Sequence, residues 1–370
     1  MEITNQLAFS AGARINDNFF ISDNYINALL KIDIKSLTMQ YVCAFPNESE
    51  EATLLHGKAY EYYQFVIFIP NQGKNVHLLD TNSMKITAYP IDRVNGSRYA
   101  INDSVMFDEK IWIFPGDGEN EIISINLSCL LKDKGKLQIK KHGVIDSSRY
   151  KKRGTNQIFY HIAKVENRVY MAEYKSDVIV TFDLLTGEKT IVDTNIDKIM
   201  SLYSLDENLW IITQMGKIYS KIAGEDTMKE YIIPANYGGK DIMLFSFNHE
   251  IYGTLEEGGK LLKLDKNSCQ FFVIPTVSLA TTNNSTMGNL YNNFFQINDN
   301  ILFSTPYSLP VQMLRKVENG EVIRNVNVIM ENVEKYSDYR MRILKKRIGN
   351  TLLNEGEMMS LDAFLNIVCS

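Results

Sequence analysis

The sequence predicts an all-β protein, a seven-bladed β-propeller of four-stranded antiparallel blades with a short α-helical C-terminal tail. Seven times along the 370 residues, a short polar turn runs straight into an apolar strand core. Strand-rich repeats of about this length indicate propeller blades, because one four-stranded sheet cannot bury both of its faces until neighbours stack on it. We call the first apolar residue of each copy its anchor. The anchors are Phe19, Phe65, Ile111, Val169, Leu209, Ile251 and Ile301, at intervals of 46, 46, 58, 40, 42 and 50 residues.

Blade four shows the predicted unit most plainly. Between residues 157 and 194 its four strands read QIFYHIAKVEN, RVYMAEY, DVIVTFDL and EKTIVDT. Short runs of β-branched and aromatic residues, separated by turn residues, favour strands over helices. We therefore assign residues 1–330 to the propeller and residues 331–370 to a helical extension docked on it.

The position after each anchor is aromatic in five of the seven copies and holds both tryptophans of the chain. A large flat side chain there fills the wedge between adjacent blades, where an aromatic residue buries ~150–250 Å². We interpret this position as core packing rather than ligand stacking. Its occupants are Phe20, Val66, Trp112, Tyr170, Trp210, Tyr252 and Leu302.

A second periodic feature is an aspartate at the end of the third strand, followed three residues later by Ser or Thr. An Asp at the start of a turn accepts hydrogen bonds from backbone N–H groups two or three residues on. These acids are therefore predicted to brace turns on successive blades rather than to form a catalytic carboxylate pair. They are Asp33, Asp80, Asp183 and Asp265, with Asn126 as a weaker copy.

Asp183 to Gly187 reads DLLTG, the clearest of these turns. With it the chain resembles the broad YVTN and quinoprotein-like superfamily of seven-bladed propellers, whose hairpins carry an Asp-x-x-Thr-Gly turn. The resemblance covers about residues 8–330. Because members of that group include lyases, cofactor enzymes and non-catalytic binding proteins, it implies a fold and not a reaction.

Bulk composition excludes several partner classes. A net charge of −5 and a pI near 5.7 argue against a dominant role with nucleic acid or an anionic membrane. No stretch approaches the ~18 apolar residues that span a bilayer. The N-terminus shows no secretory pattern, and four scattered cysteines fit reduced thiols. We expect a cytoplasmic protein with no nucleic-acid or membrane partner, and the oligomeric state stays open.

Long loops join the outer strand of one blade to the inner strand of the next, on the face that propellers customarily use for binding. The loops at 91–99 and 143–157 carry a basic cluster suited to phosphate, carboxylate or an acidic peptide. Its members are Arg93, Arg98, Arg149, Lys151, Lys152 and Arg153. The alternative is a solvated surface in which acids of the same face neutralise these cations. Those acids are Asp117, Glu119, Glu173 and Asp177.

The inner strands are expected to line the central channel with polar and aromatic side chains. We take His56, Tyr60, His161 and Tyr203 as candidate ligand contacts. The two histidines invite comparison with streptogramin-inactivating lyases, in which a propeller uses histidines and a metal. No matching Glu-His constellation recurs here, so we predict hydrogen-bonded channel histidines and no metal site.

The tail begins with ENVEKYSDYRMRILKKRI at residues 331–348, a predicted helix with a stop at Gly349-Asn350. A second short helix is expected at SLDAFLNIV, residues 360–368. The tail either covers the propeller rim or a channel mouth, or exposes Phe364 and Leu365 to a partner helix or a second copy.

The sequence carries no nucleophile, dinucleotide or phosphate-loop motif, so we predict no catalytic residue and no cofactor. The favoured function is a non-catalytic recognition module that binds a polar or anionic ligand, a glycan intermediate or a protein partner at the loop-rich face. One alternative is a lyase or hydrolase with its site at the channel mouth. Another is an assembly protein that uses its C-terminal helix.

Overall fold

The computed structural model describes 15 stretches of the chain. Within them the chain is mostly β-strand and forms seven sheets, six with four strands and one with five. All seven anchor residues lie in the second strand of their sheet, as the repeat predicted. The described residues are 9–92, 101, 103–117, 119–132, 136–145, 159–173, 176–222, 227–234, 242–255, 260–278, 291–298, 301–306, 312–317, 320–325 and 329–355.

Each blade is an antiparallel meander that runs from the channel outward. Blade one contains β1 (Phe9–Ile15), β2 (Asn18–Asp23), β3 (Leu29–Asp33) and β4 (Thr38–Cys43). Blade two contains β5 (His56–Tyr62), β6 (Phe65–Pro70), β7 (Asn75–Asp80) and β8 (Lys85–Pro90). Blade three contains β9 (Asp103–Phe107), β10 (Lys110–Phe114), β11 (Glu121–Asn126), helix α1 (Ser128–Lys132) and β12 (Gln138–Val144). Blade four contains β13 (Phe159–Val165), β14 (Arg168–Glu173), β15 (Val178–Asp183) and β16 (Lys189–Asp193).

The remaining blades repeat the order. Blade five contains β17 (Ile199–Leu205), β18 (Asn208–Thr213), β19 (Ile218–Ile222) and β20 (Met228–Tyr231). Blade six contains β21 (Ile242–Phe247), β22 (Glu250–Leu255), β23 (Lys260–Asp265) and β24 (Gln270–Ser278). Blade seven contains β25 (Tyr291–Asn298), β26 (Ile301–Pro306), β27 (Gln312–Val317) and β28 (Gly320–Asn325). The chain continues with β29 (Ile329–Met330) and helix α2 (Val333–Glu355), and no helix among the described residues is long and apolar enough to cross a bilayer.

The blades are arranged in a closed ring. The inner strands β1, β5, β9, β13, β17 and β21 contact one another in that order, and β24 contacts β28 between blades six and seven. Strand β25 of the last blade contacts β1 of the first. The seven-bladed propeller is therefore confirmed.

Apolar cores lie between neighbouring blades, and the residues that follow the anchors fill them as predicted. Trp112 is buried and its ring centroid lies 5.6 Å from that of Phe182 in the next blade. Trp210 and Tyr252 are 2% and 0% exposed. Because each sheet is covered on both faces only by its neighbours, these side chains stabilise the ring.

The periodic aspartates brace turns as predicted. Oδ1 of Asp33 accepts hydrogen bonds from the backbone N–H groups of Lys35 and Ser36, and Asp183 accepts the same pair from Leu185 and Thr186. These bonds favour the carboxylate form, so the pKa values of Asp33 and Asp183 lie below their usual range. In blade three, helix α1 follows the corresponding turn, in which Asn126 accepts from Ser128.

Strand β29 pairs in parallel with the outer strand β4 and gives blade one its fifth strand. The side-chain amide of Asn332 extends this pairing, because it both accepts from the N–H of Tyr41 and donates to the carbonyl of Tyr41. Helix α2 then begins at Val333 and ends at Glu355, so the predicted stop at Gly349-Asn350 is wrong. A glycine in a helix costs only ~1 kcal/mol and does not by itself end one.

Helix α2 packs on blade one. Tyr336, Tyr339 and Ile343 are buried in the same core as Ile26 and Tyr41. Two of the basic residues of 340–347 make ion pairs with blade-one loop acids, Arg342 with Glu50 at 2.8 Å and Lys346 with Glu51 at 2.9 Å. Residues 360–368, with Phe364 and Leu365, lie outside the described residues, and the division at residue 330 stays a prediction.

Candidate functional site

A cleft of about 290 Å³ opens where the inner strands of blades one, two and three begin. This is the face of the outer-to-inner loops, the one that the strand order marks for binding. Both charges and several hydrogen-bonding groups line the cleft. Its polar lining consists of Ser10, Asn24, Lys58, Asn71, Asp103 and Ser104.

Irregular pairing shapes two walls of this cleft. The register of β1 with β2 shifts between Phe9 and Ala11, and that of β5 with β6 shifts between His56 and Lys58. Ser10 and Gly57 are the extra residues at these β-bulges, which turn side chains away from the regular alternation. The bulges therefore present Ser10 and Lys58 toward the cleft.

Lys58 and Asp103 form an ion pair across the boundary between blades two and three. The lysine Nζ lies 2.8 Å from Asp103 Oδ1 and donates to the carbonyl of Ser104 at 2.9 Å. Burial lowers the pKa of Lys58, but the carboxylate of Asp103 outweighs it and the pKa lies above its ordinary value. With side chains 44% and 28% exposed, the pair meets solvent and is available to a polar ligand.

Tyr60 supports this ion pair from the side. Its hydroxyl lies 3.0 Å from the Ser104 hydroxyl, and its pKa is raised by burial. Ser10 closes the opposite side, because its Oγ donates to the carbonyl of His56 and its N–H donates to Asn24 Oδ1. The cleft thus has a pre-formed polar lining drawn from three blades.

Beneath the cleft runs a buried chain of hydrogen bonds through two histidines. Ser22 Oγ lies 2.7 Å from His56 Nδ1, His56 Nε2 lies 2.8 Å from His77 Nδ1, and His77 Nε2 lies 2.9 Å from the carbonyl of Pro46. A carbonyl only accepts, so His77 donates through Nε2 and accepts through Nδ1. It follows that His56 donates to His77, and that Ser22 donates to His56.

This row of hydrogen bonds resembles the serine–histidine pairing of nucleophilic catalysis, but its burial gives it another role. Ser22 is 1% exposed and His56 is 0% exposed, so no ligand in the cleft reaches the hydroxyl. Burial lowers the pKa values of His56 and His77, with the neighbouring imidazole as a second cause for His56. Two neutral histidines therefore fasten blade one to blade two under the cleft.

The sequence-predicted contacts fall in different places. Tyr60 borders the cleft, whereas the His56 side chain lies below it and the His56 carbonyl accepts a hydrogen bond from the cleft residue Ser10. Tyr203 lies in β17, on another part of the ring, with its hydroxyl 3.5 Å from the carbonyl of Ile242. His161 belongs to β13, and its side chain is not among those that the structure describes. Arg93, Arg98, Arg149, Lys151, Lys152 and Arg153 lie outside the described residues, so their role stays a prediction.

Sequence reasoning missed Lys58, Asp103 and Ser104. The available signal was positional, because each lies within two residues of the start of an inner strand on the loop-rich face. Of the acids predicted on that face, Asp117 is buried and accepts from the N–H groups of Glu119 and Asn120 in its own turn. Across the described part of the chain, no three His, Cys, Asp or Glu side chains gather where they would hold a metal ion.

Comparison with known proteins gives a fold and no family. No protein-family model and no curated protein sequence matches the chain. Among solved structures, virginiamycin B lyase from Staphylococcus aureus matches with a TM-score of 0.58 at 14% identity, over 85% of this chain and 96% of the lyase. YCF48 bound to a D1 peptide matches with a TM-score of 0.59 at 10% identity, over 84% and 94%.

A third match is Hsv2 of Kluyveromyces lactis, with a TM-score of 0.53 at 9% identity over 86% of this chain and 97% of Hsv2. All three are similar to this chain in their fold. Since an enzyme and a peptide complex stand side by side among them, the shared fold defines a β-propeller scaffold and no activity.

Proposed function

We propose that this protein is a non-catalytic recognition module, and that the cleft at the start of β1, β5 and β9 binds an acidic, polar segment of a partner protein. The observation that carries the proposal is the partly exposed Lys58–Asp103 pair within a lining of hydroxyl and amide groups. An acidic side chain of the ligand competes with Asp103 for the lysine, while the ligand backbone bonds to Ser10 and Asn71.

The adjoining sequence supports the acidic preference. Arg98 precedes the cleft residue Ile101 by three positions in the sequence. A basic loop next to a lysine favours carboxylates, and guanidinium groups present two donors to them. The peptide in the YCF48 complex is a precedent for this kind of ligand on the same fold.

A protein module of this kind fits the cytosol, which is part of the proposal. Cys43, Cys129 and Cys269, the cysteines within the described residues, are all free thiols. Free thiols are typical of a reducing compartment.

The test is a nuclear magnetic resonance titration with tri-glutamate, tri-lysine and neutral chitobiose as probes. Tri-glutamate should shift the amide signals of Lys58 and Ser104, and Lys58→Met should weaken its binding about tenfold, a loss of ~1.4 kcal/mol. Lys35→Met is the matched control, because Lys35 makes a similar ion pair with Asp17, at 2.7 Å, in the turns at the other end of blade one.

The basic loops are tested by charge reversal. Arg149→Glu with Arg153→Glu should abolish tri-glutamate binding if the 143–157 loop contributes to the same site. Equal binding by the Lys58→Met and Lys35→Met variants, or shifts that avoid the cleft, would overturn the proposal. Chitobiose binding in place of tri-glutamate would identify a glycan module instead.

A further inference from the structure

The outer strands of blades three and four carry apolar side chains that the blades leave uncovered. All five residues of β16 are exposed, among them Ile191 at 55% and Val192 at 41%. In β12 the side chains of Ile139 and Val144 are also exposed. A strand with exposed apolar side chains and a free edge is a place where another strand can pair.

This surface is also basic. Lys140 lies opposite Ser124, whose hydroxyl lies 2.7 Å from His142, and Lys189 reaches from blade four to donate to the carbonyl of Val144. The pKa of His142 is lowered first by burial and then by the positive charges of the nearby Lys140, Lys110 and Lys189.

The acids near this surface leave two of the lysines uncompensated. Glu121 pairs with Lys141 at 3.2 Å, and Asp92 lies 3.9 Å from the same lysine. Glu188 precedes β16, and Asp193 is its last residue. Lys110 and Lys140 have no ion pair within the described part of the chain, so the surface favours a partner that brings negative charge.

Elsewhere in the ring the outer edge of a blade takes up additional backbone. Strand β29 pairs in parallel with β4 in blade one. In blade six, Ile232 accepts from Phe271 and donates to the carbonyl of Cys269, which bridges it to β24. Within the described ranges, β16 pairs only with β15, and its outer edge carries no such addition.

We infer that the outer edge of β16 takes up an extended acidic segment of a partner protein as a fifth strand of blade four. Backbone hydrogen bonds hold the segment, and alternate side chains determine its specificity, as in other β-strand additions. Apolar side chains of the segment pack beside Val192 on one face of the sheet, while its carboxylates meet Lys140 and Lys189 on the other. This contact is separate from the cleft of blades one to three.

The test uses the peptide acetyl-Glu-Val-Glu-Val-Glu-Val-Glu-amide and the matched peptide with Lys in place of Glu. Hydrogen exchange is measured for the full-length protein with each peptide. The acidic peptide should slow the exchange of the β16 amides, residues 189–193, and the lysine peptide should not. Exchange in the cleft reports separately on the proposed recognition site.

Charge reversal gives the second arm. Lys140→Glu with Lys189→Glu should weaken binding of the acidic peptide about a hundredfold, because two attractive contacts become repulsive. Lys85→Glu on β8, the outer strand of blade two, is the control and should leave binding unchanged. Circular dichroism establishes that both variants fold. Equal protection by the two peptides, protection away from β16, or unchanged binding by the double variant would overturn the inference.

Discussion

The hydroxyl of Tyr336 donates a 2.5 Å hydrogen bond to Oδ2 of Asp23, and this contact joins helix α2 to the buried end of β2. Both side chains are buried, and burial raises the pKa of the Asp23 carboxyl. The other carboxyl oxygen accepts from the N–H of Tyr25 at 2.7 Å. The backbone N–H of Ile26 also bonds to this carboxyl group, so one of its three hydrogen bonds comes from the helix.

Tyr336→Phe should destabilise the protein by ~2–3 kcal/mol in urea denaturation, because it leaves a buried carboxyl oxygen without its donor. Tyr339→Phe is the matched control. The Tyr339 hydroxyl donates to the neutral carbonyl of Asn27 at 2.7 Å, so its loss should cost ~1 kcal/mol. A Tyr339→Phe variant that is the less stable of the two would contradict this ranking.

Stability should fall as the pH drops below about 6.5, the ordinary pKa of histidine. His56 and His77 have lowered pKa values in the folded state, so the unfolded chain binds more protons in acid. The stability that their neutral forms provide is complete above pH 6.5 and is lost progressively below it. Thermal denaturation at intervals from pH 8 to pH 5 measures this slope.

Substitutions test whether His56 and His77 cause this dependence of stability on pH. His56→Gln and His77→Gln should each flatten the dependence on pH and lower the stability at pH 8, since a buried hydrogen bond is lost. His249→Gln, in the exposed turn between β21 and β22, is the control. A slope that survives both buried substitutions would assign the acid sensitivity to other groups.

The two tryptophans occupy the same repeat position but differ in hydrogen bonding. The indole N–H of Trp210 donates to the carbonyl of Leu205 at 3.1 Å, whereas that of Trp112 is buried and has no acceptor among the described residues. Trp210→Phe should therefore cost ~1 kcal/mol more than Trp112→Phe, because only the former removes a buried hydrogen bond. Chemical denaturation of both variants makes the comparison, and a larger loss for Trp112→Phe would refute it.

Two truncations separate the parts of the tail. Removal of residues 356–370 should leave the melting temperature nearly unchanged. Removal of residues 331–370 exposes the core around Ile26 and Tyr41 and deletes three buried side chains. Because burial of each large apolar side chain contributes ~1.5–3 kcal/mol to stability, this truncation should lower the melting temperature. Thermal melting with a hydrophobic dye detects both effects. Collapse of the shorter truncation would show that residues 356–370 belong to the core.

Local patterns in the sequence predicted most of the fold. The turn-to-strand copies predicted the second strands because burial on both faces selects continuous apolar runs. The bracing aspartates were predictable because their hydrogen bonds reach only two or three residues along the chain. Strand β29 was not, since its pairing with β4 joins Ile329 to Thr38 and leaves no local signal.

The candidate site shows the same limit. The loop-rich face follows from strand order, but the Lys58–Asp103 contact depends on how blades two and three pack. The position of His56 in an inner strand predicted that its side chain lines the channel. The bulge between His56 and Lys58 shifts the alternation, and the imidazole lies in the core between blades one and two instead.

The pairing of β29 with β4 also bears on how the protein is made. Synthesis proceeds from the N-terminus, so blades one to seven emerge before the strand and helix that complete the first of them. Until then the outer edge of β4 and the surface under Tyr336 are uncovered, and uncovered strand edges invite aggregation. The last blade to reach its final form is therefore the first to leave the ribosome, and a nascent chain halted before residue 329 carries an adhesive surface.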